Sequence, residues 1–180
     1  MNKKQIEFIC VDFQKDFVDE QGRSFIHGTS VSFVKNTLIP FLCQRNLLIN
    51  EITSDYRLPR LGRKTESCAP GTAGFESEIP AELKKGVPWI KCMHSPIWTR
   101  KNIGNPLKVA GNPYQDPKAF ERWLLSSIGD PGNDKIIILF GETMDCCILA
   151  TAQELYFRGY KVKVLYEACD PMNERKDYKE

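Results

Sequence analysis

Apolar residues fall along this chain in short runs separated by polar, turn-rich stretches. Ile6-Glu7-Phe8-Ile9-Cys10-Val11 and Ile136 to Phe140 carry branched side chains and are too short for helices, which fits buried strands. The same reading puts strands at 5–12, 46–54, 87–92, 135–141 and 161–167. Between them, helices are expected within 30–45, 117–128 and 146–158. In the last, Cys147, Leu149, Ala152, Leu155 and Tyr156 share a helical pattern that stops at Gly159. Pro40 must begin or kink its helix, because it has no N–H to donate. Strand and helix alternating in this way predict an α/β fold, a three-layer α/β/α sandwich around a central, mostly parallel sheet. Residues 99–117, rich in Gly, Pro and Asn, read as a long loop, expected to act as a lid or an oligomer contact rather than an inert insertion.

Length allows one self-sufficient domain over 1–180, since a chain of this size buries roughly 70% of its unfolded surface. The seven cysteines are odd in number and lack paired spacing, so they read as reduced thiols of a cytoplasmic protein. Cys10, Cys43 and Cys169 have contexts that read as buried. No leader precedes the first strand and no apolar run approaches the ~18 residues of a membrane span, so a soluble protein without membrane contact is expected. Basic and acidic residues are interspersed and the net charge is only +2, which gives no reason to invoke nucleic acid.

Three residues then add chemistry. Cys147 sits where the apolar run to Phe140 passes into a helix, a junction where unpaired N–H groups and the helix dipole lower a thiol's pKa. Alone this says little, because buried cysteines often pack as small hydrophobes. Asp12 ends the first strand and Lys91 ends the third. In parallel neighbours all three would emerge at the carboxyl edge of the sheet, where open α/β folds bind ligands. The set is a thiol, a carboxylate to take its proton and an ammonium to hold both charges; a strand-end lysine that is merely solvated is the plain alternative.

These residues resemble the isochorismatase-like cysteine hydrolases, a family that includes nicotinamidases and N-carbamoyl, ureidoacrylate and maleamate amidohydrolases. Val11-Asp12-Phe13-Gln14-Lys15-Asp16-Phe17 matches its Asp-x-Gln-x-Asp-Phe motif, Lys91 its central lysine, and Gly141-x-x-x-Asp145-x-Cys147-x-x-x-Thr151-Ala152 its nucleophile motif. Glu167-Ala168-Cys169-Asp170 looks like the family's acidic strand end, and Gly71-Thr72-Ala73-Gly74 its glycine-rich loop. The register assigns the nucleophile to Cys147 and leaves Cys146 a structural role. The resemblance implies a Rossmann-like sheet, no cofactor, a homo-oligomer, and a small-molecule amide or ureide substrate. It implies that Asp12 deprotonates Cys147, that the thiolate attacks a carbonyl to form a thioester, and that water releases it. It also implies that Thr143 and Cys147 offer backbone N–H groups to the oxyanion, with a cis Glu142–Thr143 peptide. Phe17, Phe75 and Trp98 are candidate walls for a planar substrate, and ordinary core is the alternative for each.

The chain departs from that pattern in two places. Asp55 is kept where nicotinamidases carry metal ligands, but Arg57 stands where a histidine is expected; only His27 and His94 exist in the chain, so no metal is expected. Arg57 could bind a substrate carboxylate or simply pair with Asp55 or Glu66. The sequence also stops soon after Asp170-Pro171, where the family continues with another helix and strand, which implies a short variant or lost terminal elements. Vinyl-ether cleavage, a Cys146–Cys147 redox function and a silent small-molecule binder are the alternatives to amide hydrolysis.

Overall fold

In the computed structural model, which describes residues 5–132 and 135–172, the five apolar runs form one sheet. Its strands are β1 (Gln5–Val11), β2 (Ile49–Ser54), β3 (Trp89–Lys91), β6 (Lys135–Glu142) and β7 (Lys161–Asp170). They lie in the order β3-β2-β1-β6-β7, and every adjacent pair is parallel. Position in this order explains burial. On β1, β2 and β6, Ile9, Val11, Ile49, Ile52, Ile137 and Leu139 are shut off from solvent, each worth about 1.5–3 kcal/mol of apolar burial. The edge strand β7 is largely open until Ala168, Cys169 and Asp170.

The order also fixes the layers. From β1 the chain moves outward through β2 to β3, and from β6 it moves the opposite way to β7. Right-handed crossovers therefore put the connecting helices on opposite faces, and the reversal falls between β1 and β6. Helix α1 (Lys15–Val18) is a single turn after β1. Residues 30–45 form α2 (Ser30–Phe33) and α3 (Ile39–Arg45), joined by a widened π turn over Val34–Leu38. That turn is the physical answer to Pro40, which cannot donate to residue 36 and whose ring would strike that carbonyl in a regular helix. Asn46 closes α3 in the left-handed conformation, φ +51°. Helix α4 (Pro117–Ser127) starts with Pro117 behind an Asp116 side chain that accepts from Ala119 N at 2.9 Å. It buries Phe120 and Leu124. A second π turn over Met144–Ile148 leads into α5 (Leu149–Phe157).

Residues 99–117 differ from expectation. They are not a plain loop: β4 (Trp98–Arg100) and β5 (Pro113–Gln115) pair antiparallel as a separate hairpin. Each strand has only three residues, too short for a pattern, and Pro113 disguises the second. Among the described residues no helix is long and apolar enough to cross a membrane.

Candidate active site

Asp12 directly follows β1, Ser54 closes β2, Lys91 closes β3 and Cys147 lies beyond β6, so all four stand at the carboxyl edge. Local backbone makes this possible. Asp12 turns off the strand at φ +55°, with its N–H on Ile52 O at 2.8 Å. Gln14 holds the neighbouring strand end: its Oε1 accepts from Ser54 N at 2.7 Å and its Nε2 donates to Ser54 O and Phe75 O. Asp16 accepts from Cys68 N and Arg23 N, and Gly74 lies so close to its carboxyl that a Cβ would collide with it. The first motif is therefore one chemical residue followed by two clamps.

The Lys91 ammonium is the centre of the cluster and is wholly buried. It donates to Asp12 Oδ2 at 2.7 Å, Tyr56 Oη at 2.8 Å, Ser54 Oγ at 2.9 Å and Cys147 Sγ at 3.4 Å. Ser54 Oγ in turn donates to Asp12 Oδ1 at 2.7 Å. Tyr56 Oη is 3.3 Å from Sγ, and His94 Nδ1 is 3.9 Å from it. Sequence reasoning missed Tyr56, Ser54 and His94. Tyr56 and Ser54 flank Asp55, one strand end further along, and a search of every polar side chain at those ends would have found them.

Burial lowers the pKa of Lys91, but the Asp12 carboxylate beside it outweighs this and the ammonium is held well above its usual range. Burial pushes the Cys147 thiol up; Lys91 pulls it down, Asp12 pushes it up, and the Thr143 and Tyr56 hydroxyls favour the thiolate. This reverses the expectation of a thiol acidified by its helix terminus: desolvation wins, and the resting group is a thiol. Cys146, half buried, is pushed up to about 11 by burial and then by Asp145. Burial lowers His94 to about 4, helped by Lys91, Arg63 and Arg60, so the ring is neutral at pH 7.

Cys147 lies on the wall of a cavity of about 250 Å³. Phe17 lines it, edge-on to Tyr56 with ring centroids 6.1 Å apart. Other expectations need correction. Phe75 and Trp98 are not among the lining residues. Phe75 packs on the core and gives its carbonyl to Gln14, while Trp98 belongs to the hairpin. Arg57 is not a lining residue either. Its Nε and Nη2 grip Asp55 at 2.9 and 2.6 Å, and its remaining N–H groups go to the carbonyls of Asn102, Asn105 and Lys108. The arginines of the cavity are Arg60 and Arg63. The Glu142–Thr143 peptide is trans; instead Thr143 itself turns left-handed at φ +60°. Its Oγ1 accepts from Cys147 N at 3.1 Å, so that N–H has an internal partner. Cys43 is exposed, not buried.

No protein-family model matches the sequence, and no curated protein is similar to it in sequence. Solved structures do share its fold. The nicotinamidase/pyrazinamidase of Bacillus subtilis is 15% identical, with 94% of this chain and 88% of that one covered and a TM-score of 0.63. N-carbamoylsarcosine amidase from Thermoplasma acidophilum is 16% identical over 97% and 88%, with a TM-score of 0.61. The pyrazinamidase of Pyrococcus horikoshii, solved in complex with zinc, is 17% identical over 97% and 91%, with a TM-score of 0.63. The chain therefore has the α/β fold of the isochorismatase-like hydrolases. Its residues do not fit a zinc ion: the Asp55 carboxylate is closed by Arg57 and Gly104 N, and no cluster of three His, Cys, Asp or Glu residues suited to a metal exists among the described residues.

Proposed function

We propose that this protein is a cysteine-dependent hydrolase that cleaves the C–N bond of a small amide or ureide through a thioester on Cys147. The observation that carries the reading is the buried ammonium of Lys91, in simultaneous contact with the Asp12 carboxylate, the Tyr56 hydroxyl and the Cys147 sulfur beside a cavity. A lysine this deep needs its charge matched, and packing alone would not select a thiol and a carboxylate as its neighbours.

The chemistry starts from thiol and carboxylate. As Sγ attacks the carbonyl carbon, its proton passes to Asp12; Lys91 touches both groups and stays protonated. The developing oxyanion needs donors, for which the Thr143 amide and the Cys147 amide, freed by rotation of the Thr143 side chain, are the candidates. Asp12 then gives its proton to the departing nitrogen. Water attacks the thioester, its proton goes to Asp12, and the carboxylic product leaves as the thiol re-forms. Neutral His94 beside Sγ can hydrogen-bond the incoming water or the leaving amine.

Mass spectrometry after exposure to a panel of amides, ureides and carbamoyl compounds tests this. A trapped acyl adduct on Cys147 is expected. Cys147→Ala should abolish turnover of any substrate found, while Cys146→Ala should keep most of it. Equal loss in the two variants, or an adduct elsewhere, would overturn the assignment.

A further inference from the structure

Arg60 is a cation with no use in the chemistry above. It is only 9% exposed, lines the cavity, and its buried Nε has no hydrogen-bond partner among the described residues. Its guanidinium stacks on the Tyr56 ring, 3.5 Å from the centroid, and that ring's hydroxyl is 3.3 Å from Cys147 Sγ. Arg63, at the exposed rim, has Nη2 3.3 Å from His94 Nε2. Lys91 is matched by Asp12, and none of the described lining residues is acidic. Among the described residues the cavity thus presents two guanidinium groups and no carboxylate.

From this we infer that Arg60, assisted by Arg63, is the carboxylate-binding subsite, and that the substrate is a small amide or ureide bearing a carboxylate a few bonds from the scissile carbonyl. The inference rests on the hydrolase reading for its substrate class. A carboxylate is the anion that a planar fork of N–H donors accepts through two parallel bonds. Stacking on Tyr56 fixes the plane of that fork beside the nucleophile. An incoming carboxylate would match a buried charge that no described carboxylate matches, and removing such a charge from water without a partner is costly. Burial already lowers the pKa of this guanidinium, the mark of a cation short of compensation. The volume of about 250 Å³ falls just below the roughly 300–1,000 Å³ of ordinary ligand pockets, so the substrate is small.

Two alkylating agents of nearly equal size separate charge recognition from reactivity. Iodoacetate and iodoacetamide both carboxymethylate or carbamidomethylate a thiol, but only the first carries a carboxylate. Rates at Cys147 and at exposed Cys43 are read in the same sample by peptide mass spectrometry. The iodoacetate-to-iodoacetamide ratio at Cys147 should exceed that at Cys43 by at least about tenfold, the lower end of charge focusing in a cleft. It should fall toward the Cys43 ratio in Arg60→Gln, fall partly in Arg63→Gln, and be suppressed by succinate more than by inorganic phosphate. Equal ratios at the two thiols, or a Cys147 ratio untouched in both variants, would overturn the subsite while leaving the nucleophile standing. If neither reagent modifies Cys147, the nucleophile assignment fails, and calorimetric titration with succinate decides the subsite: binding lost in Arg60→Gln and weakened in Arg63→Gln supports it, and absence of binding to the native protein overturns it. Stronger suppression by phosphate than by succinate would also overturn the carboxylate assignment.

Discussion

Lys91 has three N–H groups and four acceptors within 3.4 Å, with sulfur the most distant. The thiol is therefore the contact that yields, which suits a group that must become free to attack. Lys91→Met removes one side of a fully buried ion pair and leaves Asp12 uncompensated, so urea unfolding should show a loss of about 3–5 kcal/mol. The variant should also alkylate more slowly at Cys147, with its pH midpoint moved up, because the cation that favours the thiolate is gone. A midpoint that stayed in place would mean that Lys91 does not tune the sulfur. At this scale the sequence was informative about Asp12, Lys91 and Cys147, since the first two end strand-like runs with the wrong polarity for a core and the third sits at the junction between the run to Phe140 and a helix. His94 and Arg60 were not legible, because their positions depend on where the stretches after β3 and β2 fold back. The sign of the Cys147 shift was equally hidden: dipole and neighbouring charges can be guessed from order along the chain, whereas desolvation is a property of packing.

Among the elements, β6 carries the tightest backbone constraint. Gly141 has φ +120°, and a Cβ there would come within 2.0 Å of Val11 O on β1. Gly141→Ala must push apart the two strands that bring Asp12 and Cys147 together, and should cost at least roughly 3 kcal/mol in denaturant melts, combining steric overlap with backbone strain. The hairpin of β4 and β5 is held differently, by the Arg57 guanidinium threaded into its carbonyls. Arg57→Gln should therefore raise hydrogen exchange across 101–112, while the alkylation preference of Cys147 for iodoacetate persists. If that preference vanished with Arg57, the guanidinium would face substrate after all. The strands β1 and β6 were legible to within a few residues because buried parallel strands are near-continuous apolar runs. The hairpin was not, because three-residue strands have no period to read.

Over the whole molecule, acid acts through His94. Its folded value of about 4 lies below the ordinary 6.5, so the unfolded chain takes up the proton first. Its contribution to stability is intact above pH 6.5, declines as pH falls toward about 4 and is lost below that. The ring is partly exposed, so solvent screening makes the slope shallow. His94→Gln should flatten this part of the profile when urea midpoints are compared between pH 7.5 and pH 4, and identical profiles would place the ring in solvent. The cluster has a further property that concerns time rather than equilibrium. Asp12 meets Lys91 across 79 positions of the chain, and Tyr56 meets Cys147 across 91. Such contacts close large loops and come late in folding. A ribosome must have released the chain past Cys147 before the carboxylate, the ammonium and the sulfur can share a location, so the nascent chain carries its thiol in an ordinary, unselective state until then, and the first appearance of a guarded Cys147 is a clock for the assembly of the sheet edge.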